Sequence, residues 1–241
     1  SFTTLRKMLV GISEKQKDSQ IIVATHNSMI ASRLNLNNVL WITEIGVKSL
    51  SGVDEKVANF FVRADDNGFL QLLLSKKVFL VEGATEFLLL PHFYQQLTGK
   101  TIEEDGISVI SCNGISYKKY LEIAEKTDKK IAVITDNDKE QERIDFAKKY
   151  NEENSLQRIY MAGSTDDWTW EICMYNANQA VLDKMIKVQA GAEYKYHGES
   201  YGAVPGKMLN NKVDVAYQML SSDTVFEIPQ YVKDAIEWLR K

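Results

Sequence analysis

The sequence predicts an α/β fold, a parallel sheet flanked by helices, and three observations carry that prediction. Between about residues 75 and 165, short apolar runs alternate with runs of helical length. Glycine and asparagine punctuate the joins, and acidic residues stand directly after two of the apolar runs. Lys77-Val-Phe-Leu-Val81 reads as a buried strand ending at Glu82-Gly83, followed by a helix over 85–96 that closes at Gly99. Residues 107–111 form the second strand. Asn113-Gly114 breaks it, and a helix over 117–126 carries Leu121 and Ala124 on an apolar stripe. A third strand, 130–135, runs into Asp136-Asn137-Asp138, a helix over about 140–150 follows, and a fourth strand is expected at 157–161. Strand–helix alternation of this length makes right-handed crossovers onto a parallel sheet.

The flanks differ from this core over 75–165. Residues 168–189, 213–220 and 230–239 have helical patterns, which gives a helical C-terminal extension over 166–241. Residues 1–74 read as a helix near 5–12, a strand over 20–25 that ends at His26-Asn27-Ser28, and another strand over 38–43. The opening Ser-Phe-Thr-Thr has neither an initiator Met nor a signal-peptide pattern, so a piece of a longer protein is expected.

Composition narrows the function classes. With 241 residues and 44% hydrophobic side chains the chain can build a packed core, so a disordered tail is excluded. The 29 basic and 33 acidic residues give −4, which excludes a bulk polycationic nucleic-acid binder and leaves room for a local DNA site. Two cysteines, Cys112 and Cys173, without a Cys-x-x-Cys pair, fit neither a disulfide scaffold nor a cysteine zinc site; a reducing cytoplasm is expected. The longest apolar runs fall far short of the roughly 20 residues of a membrane helix.

Side chains at the carboxyl ends of neighbouring parallel strands converge on one crevice. Two acidic motifs land there. Val81-Glu-Gly-Ala-Thr-Glu86 puts Glu82 at a strand tip and Glu86 in the first helical turn, and Asp136-Asn-Asp138 follows the third strand. If the first and third strands are neighbours, four carboxylates crowd together, which raises pKa values unless a cation is present. Neither motif holds His or Cys, so Mg²⁺ or Mn²⁺ is the matching ion, and two ions are expected. Each motif also has a plain structural reading, since Glu favours a first helical turn and Asp-Asn-Asp is ordinary turn chemistry.

The arrangement resembles the Toprim domain of topoisomerases, primases and certain nucleases: Glu82 matches the Glu after the first strand, and Asp136 and Asp138 match the Asp-x-Asp after the third. The extension Val-Glu-Gly-x-x-Glu, with Glu86 as second acid, is similar to the overcoming-lysogenization-defect (OLD) family of ATP-dependent nucleases, which includes the nuclease subunit of the Gabija antiphage system. OLD proteins join an ABC-type ATPase to a Toprim nuclease. Ile21-Ile-Val-Ala-Thr-His-Asn-Ser28 resembles the last ATPase strand with its switch histidine, so the resemblance implies that residues 1–74 are an ATPase-derived segment and that His26 faces ATP. Thr98-Gly-Lys-Thr101 imitates a Walker A end, but Tyr94 stands where that motif needs Gly. ATP is therefore expected to act only in a full-length protein.

Thr165-Asp-Asp-Trp-Thr-Trp-Glu171 resembles the Thr-x-Glu element of OLD nucleases, with Glu171 as a further metal ligand. Asp166 or Asp167 is the alternative, as is a helix N-cap with Glu171 solvated. The family also uses a lysine before its last helices. Lys212, in Asn-Asn-Lys-Val-Asp-Val-Ala216, is preferred over Lys207, which follows a Pro205-Gly206 read as an exposed turn. The resemblance thus implies a two-metal DNA endonuclease: Glu82, Asp136 and Asp138 hold one Mg²⁺ or Mn²⁺, Glu86 and Glu171 hold the other, and Glu82 and Lys212 are catalytic. It implies DNA as substrate, a homo-oligomer formed through the ATPase region, room for a helicase partner and a role in phage defence; the short apolar runs lead to no membrane being expected. The rival readings are a topoisomerase- or primase-like Toprim enzyme and a non-catalytic metal-binding module.

Overall fold

Four parallel strands, in the spatial order 107–111, 77–81, 130–134 and 157–160, form the centre of the molecule. The computed structural model describes residues 4, 7–8, 11, 22–24, 39–43, 46–57, 68–112, 116–189 and 191–241. Strands β1 (Leu40–Thr43) and β2 (Gly46–Ser49) pair antiparallel outside the main sheet. Then come α1 (Gly68–Leu74), β3 (Lys77–Val81), α2 (Ala84–Thr98), β4 (Ile107–Ser111), α3 (Tyr117–Thr127), β5 (Lys130–Ile134), α4 (Gln141–Glu153) and β6 (Gln157–Tyr160). The C-terminal part holds α5 (Trp170–Met185), the hairpin β7 (Tyr194–Tyr196) and β8 (Glu199–Tyr201), α6 (Ala203–Asn210), α7 (Lys212–Leu220) and α8 (Gln230–Arg240).

The near-continuous apolar runs of β3 and β5 follow from cover on both faces. Val78, Leu80, Ile131 and Val133 pack with Leu121 and Ala124 of α3 and Ile144 of α4, whereas Phe79, Val81, Ala132 and Ile134 meet α2 and the C-terminal helices. The last helix is the roof of that second face. Val232, Ala235, Ile236 and Leu239 recur at helical spacing, are buried, and lie in the same core cluster as β3 and β5. The segment after residue 166 is therefore packed onto the sheet rather than appended to it. No helix among the described residues is long and apolar enough to cross a membrane.

Several expectations shift. The helix expected over 168–189 is shorter. It starts after Thr169, whose hydroxyl accepts from the Ile172 N–H at 3.3 Å, and it kinks at Asn178, which bonds to Met174 and Glu227. Pro205-Gly206 is not an exposed turn but the first turn of α6, where proline is tolerated and Gly206 is buried. Hairpin β7–β8 and helices α1 and α6 were not foreseen. Of the strand expected over 20–25, the described residues 22–24 lie in no strand. His26 lies outside the described residues.

Ile236 is fully buried under the sheet. Truncation to alanine is expected to lower unfolding free energy by about 2–5 kcal/mol. Urea titration checks this, and an unchanged midpoint would contradict α8 as the roof of the sheet.

Candidate active site at the strand tips

Parallel pairing of β3 with β5 sets Val81 opposite Ile134, so the residues that follow each strand emerge side by side. Glu82 uses this at once. Its Oε2 accepts from the Thr135 hydroxyl at 2.5 Å and from the Asp136 N–H at 3.3 Å. Glu82 and Thr135 line a cleft of about 660 Å³ together with Tyr117, Lys118, Arg143 and Phe146. Asp138 belongs to this side as well, where Arg143 approaches its carboxylate at 2.7 Å.

Asp136 turns its carboxylate the other way, accepting from the Trp170 N–H at the start of α5 at 2.8 Å. This N-terminus favours an anion. Glu86, in the first turn of α2, and Glu171, in the first turn of α5, border the same space, and both are buried. Glu86 Oε2 lies so close to the Gly83 backbone that a Cβ there would sit 2.9 Å away, so the glycine leaves room for this side chain to fold back. Thr85 donates to Glu171 at 3.2 Å, and Lys212 Nζ donates to the other Glu171 oxygen at 2.9 Å.

The loop between the two sides is tightly held. Asn137 is fully buried, and its amide donates to the carbonyls of Ala162, Ser164 and Asp167 at 2.9–3.3 Å. Its Oδ1 accepts from the Lys139 N–H at 2.9 Å, and the Asp138 N–H donates to Trp168. These bonds fix Asp138 and Lys139 at φ +51° and +65°, an uncommon left-handed pair of the kind that accumulates at functional sites.

Electrostatics follow the packing. Burial, with the charges of Glu171 and Glu82 adding to it, pushes Glu86 from 4.5 up to about 7. Asp136 is raised well above the usual carboxylate range by burial first and then by Glu86, Glu171 and Glu82. Burial also raises Asp138, against the pull of Arg143. Burial opposes the charge on Lys212, but the Glu171 carboxylate holds that ammonium above its ordinary range.

The donor set fits Mg²⁺ or Mn²⁺. Four acids bear on one another through oxygen alone, and Lys212 is the cation that acts on both Glu86 and Asp136. Among the described residues no group of three or more His, Cys, Asp or Glu side chains is already arranged to hold a metal. The physical reason is visible: four of the five carboxylates are turned to protein donors, Glu82 to Thr135, Asp136 to Trp170, Glu171 to Lys212 and Asp138 to Arg143.

The structure thus brings Glu82, Glu86, Asp136, Asp138, Glu171 and Lys212 to one end of the sheet, in two groups rather than one. Asp136 keeps company with Glu86 and Glu171, although its backbone binds Glu82. Glu171 is buried and paired, not solvated. Asp166 is exposed, and Asp167 accepts from Asn176. Lys207 donates to the Lys187 carbonyl at 2.7 Å and pairs with none of the acids. Sequence reasoning missed Thr135, Asn137 and Arg143; the position of Thr135 and Asn137 beside the acids was the available signal. It also missed Tyr231 of α8, whose phenol is pushed up by burial and then by the charges of Cys173, Asp136 and Glu86.

Folded Glu86 keeps its proton at pH values where the unfolded chain has lost it, so its contribution to stability falls as pH rises from 4.5 to about 7. Glu86→Gln removes that slope. Measured by urea unfolding in EDTA, the variant is expected to gain on the wild type across this window and level off above it. A difference independent of pH would contradict the burial of this carboxyl.

Residues 73–138 match the family described as "Overcoming lysogenization defect protein-like, TOPRIM domain". No curated protein sequence matches the chain. Among solved structures, the chain is similar to the C-terminal region of the Burkholderia pseudomallei OLD protein, with 16% identity and a TM-score of 0.46 over 69% of this chain and 98% of that one. A structure of the C-terminal region of the Xanthomonas campestris pv. campestris OLD protein aligns at 16% identity and a TM-score of 0.45, over 70% and 94%. The matched segment is the one that carries Glu82, Glu86, Asp136 and Asp138.

Proposed function

We propose that the chain is a Mg²⁺- or Mn²⁺-dependent endonuclease acting on DNA phosphodiester bonds. One observation carries the reading: the Glu82 carboxylate accepts from the Asp136 N–H across neighbouring parallel strands, in a site whose further acids, Glu86, Asp138 and Glu171, offer oxygen alone. The Toprim family match over the same residues supports it.

Glu82 and Asp138 would hold one ion, and Glu86 and Glu171 the other. Asp136 is the shared member, its N–H on Glu82 and its carboxylate beside Glu86 and Glu171. When bound, such ions supply an activated water and neutralise charge on the phosphate. The residues do the rest. Because burial raises the proton affinities of Glu86 and Asp136, a bound cation would favour their charged forms and release their protons. Lys212, held charged by Glu171 at the rim of the buried acids, offers its ammonium to the phosphate oxygens where negative charge accumulates. Thr135 fixes the Glu82 rotamer, and Asn137 fixes the loop that aims Asp136 and Asp138. By the OLD resemblance, the reading extends to control by an ATPase segment carrying His26, a homo-oligomer formed through it, a helicase partner and a role in phage defence.

Plasmid nicking titrated with Mg²⁺ and Mn²⁺ tests the chemistry. The wild type is expected to nick supercoiled DNA and to stop in EDTA. Glu82→Ala and Asp136→Ala are expected to fold and abolish nicking, and Lys212→Ala to slow it by about 10²–10³-fold. Nicking that survives Glu82→Ala, or that ignores divalent ions, would sink the reading.

A further inference from the structure

We propose that hairpin β7–β8 and Trp168 form a stacking platform for unpaired nucleobases of a DNA strand entering the carboxylate site. The proposal deepens the nuclease reading and rests on it for the identity of the polymer.

The hairpin is built to present rings. Tyr194 pairs with Tyr201 and Tyr196 with Glu199, and directly opposed residues share a face, so three tyrosines stand on one side of a very short ribbon. Its turn is His197-Gly198, at φ +48° and +86°, the left-handed pair that a two-residue hairpin requires. The base of the ribbon is seated on α6. A Cβ at Gly206 would lie 2.5 Å from Tyr194 Cβ, so the glycine admits the close approach, and Asn210 donates to the Lys195 carbonyl at 3.3 Å.

From that seat two of the ribbon's rings meet Trp168. The Trp168 ring centre lies 6.0 Å from Tyr196 and 6.1 Å from Tyr201, at interplanar angles of 38° and 39°. Each of these three rings stays partly exposed, unlike Trp170 two residues on, which is 1% exposed in the core. Tilted, half-open rings offer faces to a ligand, whereas core rings have spent theirs on neighbours.

Two lysines bind this surface to the carboxylates. Lys139, directly after Asp138, places its ammonium 4.8 Å from the Trp168 ring centre and 5.9 Å from Tyr201. Lys212, the partner of Glu171, lies 5.8 Å from Tyr196. The Lys139 ammonium is held by exposed Glu199, which also accepts from the Tyr201 hydroxyl at 2.8 Å. A strand phosphate can take the place of Glu199 on Lys139 without moving Trp168. Rings beside cations, next to a phosphate-cleaving centre, match a strand whose bases stack while its backbone meets the lysines. Duplex bases are already stacked on each other, so the platform favours an unpaired strand.

Fluorescence anisotropy in EDTA, with a short labelled oligo-dT strand and a duplex of the same length, tests this. Tyr196→Ala and Tyr201→Ala are each expected to weaken oligo-dT binding about 5- to 100-fold with the duplex unaffected, and Tyr196→Phe and Tyr201→Phe to bind like the wild type. Because alanine can loosen the hairpin, wild-type tryptophan emission is read as well: oligo-dT is expected to quench it, and Trp168→Phe to remove the quenching. Alanine variants that bind oligo-dT like the wild type, an equal loss on duplex, or quenching that persists in Trp168→Phe would each overturn the platform. If those binding results hold while the wild type nicks no plasmid with Mg²⁺ or Mn²⁺, the nuclease reading fails and the platform stands.

Discussion

The pairing register between β3 and β5 is the constraint on which the site depends. Lys77 lies opposite Lys130 and Val81 opposite Ile134, so the two strands run out level and Glu82 meets Thr135 and Asp136. A slip of one residue would reverse the facing of every side chain on one strand. That slip is blocked from both sides: Val78 and Leu80 are committed to the α3–α4 face, Phe79 and Val81 to the α2–α8 face, and all four are fully buried. Hydrophobic burial fixes the register, and the register fixes where the carboxylates meet.

Bringing acids together in this way works against stability, and the surrounding contacts show how the fold tolerates it. Asp136 is offered a helix N-terminus and Glu171 an ammonium, while Glu86 retains its proton up to about pH 7. Asn137 spends its amide N–H groups on three carbonyls of the β6–α5 loop and its Oδ1 on the Lys139 N–H, and this holds two successive residues in left-handed conformations. Uncommon backbone and like charge at one loop, held by bonds around it, are a combination that accumulates at functional sites.

Much of the sheet was legible because its signal is local. The strands 77–81 and 107–111 were read with their observed bounds, since short apolar runs bounded by Gly and Asn have few other solutions. Glu82 and Asp136 were legible as strand-tip residues for the same reason. What sequence did not give was orientation. That Asp136 turns toward Glu86 and Glu171 depends on where α5 begins, and α5 is placed by tertiary packing. Arg143 lies in the first turn of α4 and looks like any surface arginine until Asp138 is seen beside it. Tyr194-Lys-Tyr-His-Gly-Glu-Ser-Tyr201 did carry a pattern, alternating rings about a two-residue turn, but strands of three residues fall below the length at which alternation stands out.

The C-terminal segment completes the site as well as the core. Glu171 comes from α5 and Lys212 from the first residue of α7, both outside the main sheet, and both act on Asp136. Their positions depend on α8, whose buried stripe closes the sheet face against which α2, α5 and α7 share one apolar cluster. The acids of β3 and β5 alone would form a repulsive, open cluster with Thr135 and backbone donors for support. With the C-terminal helices docked, the same acids gain a buried wall, a further carboxylate and an ammonium. The chemistry of the strand tips is therefore a property of residues separated by some 130 positions, Glu82 to Lys212, joined through one core.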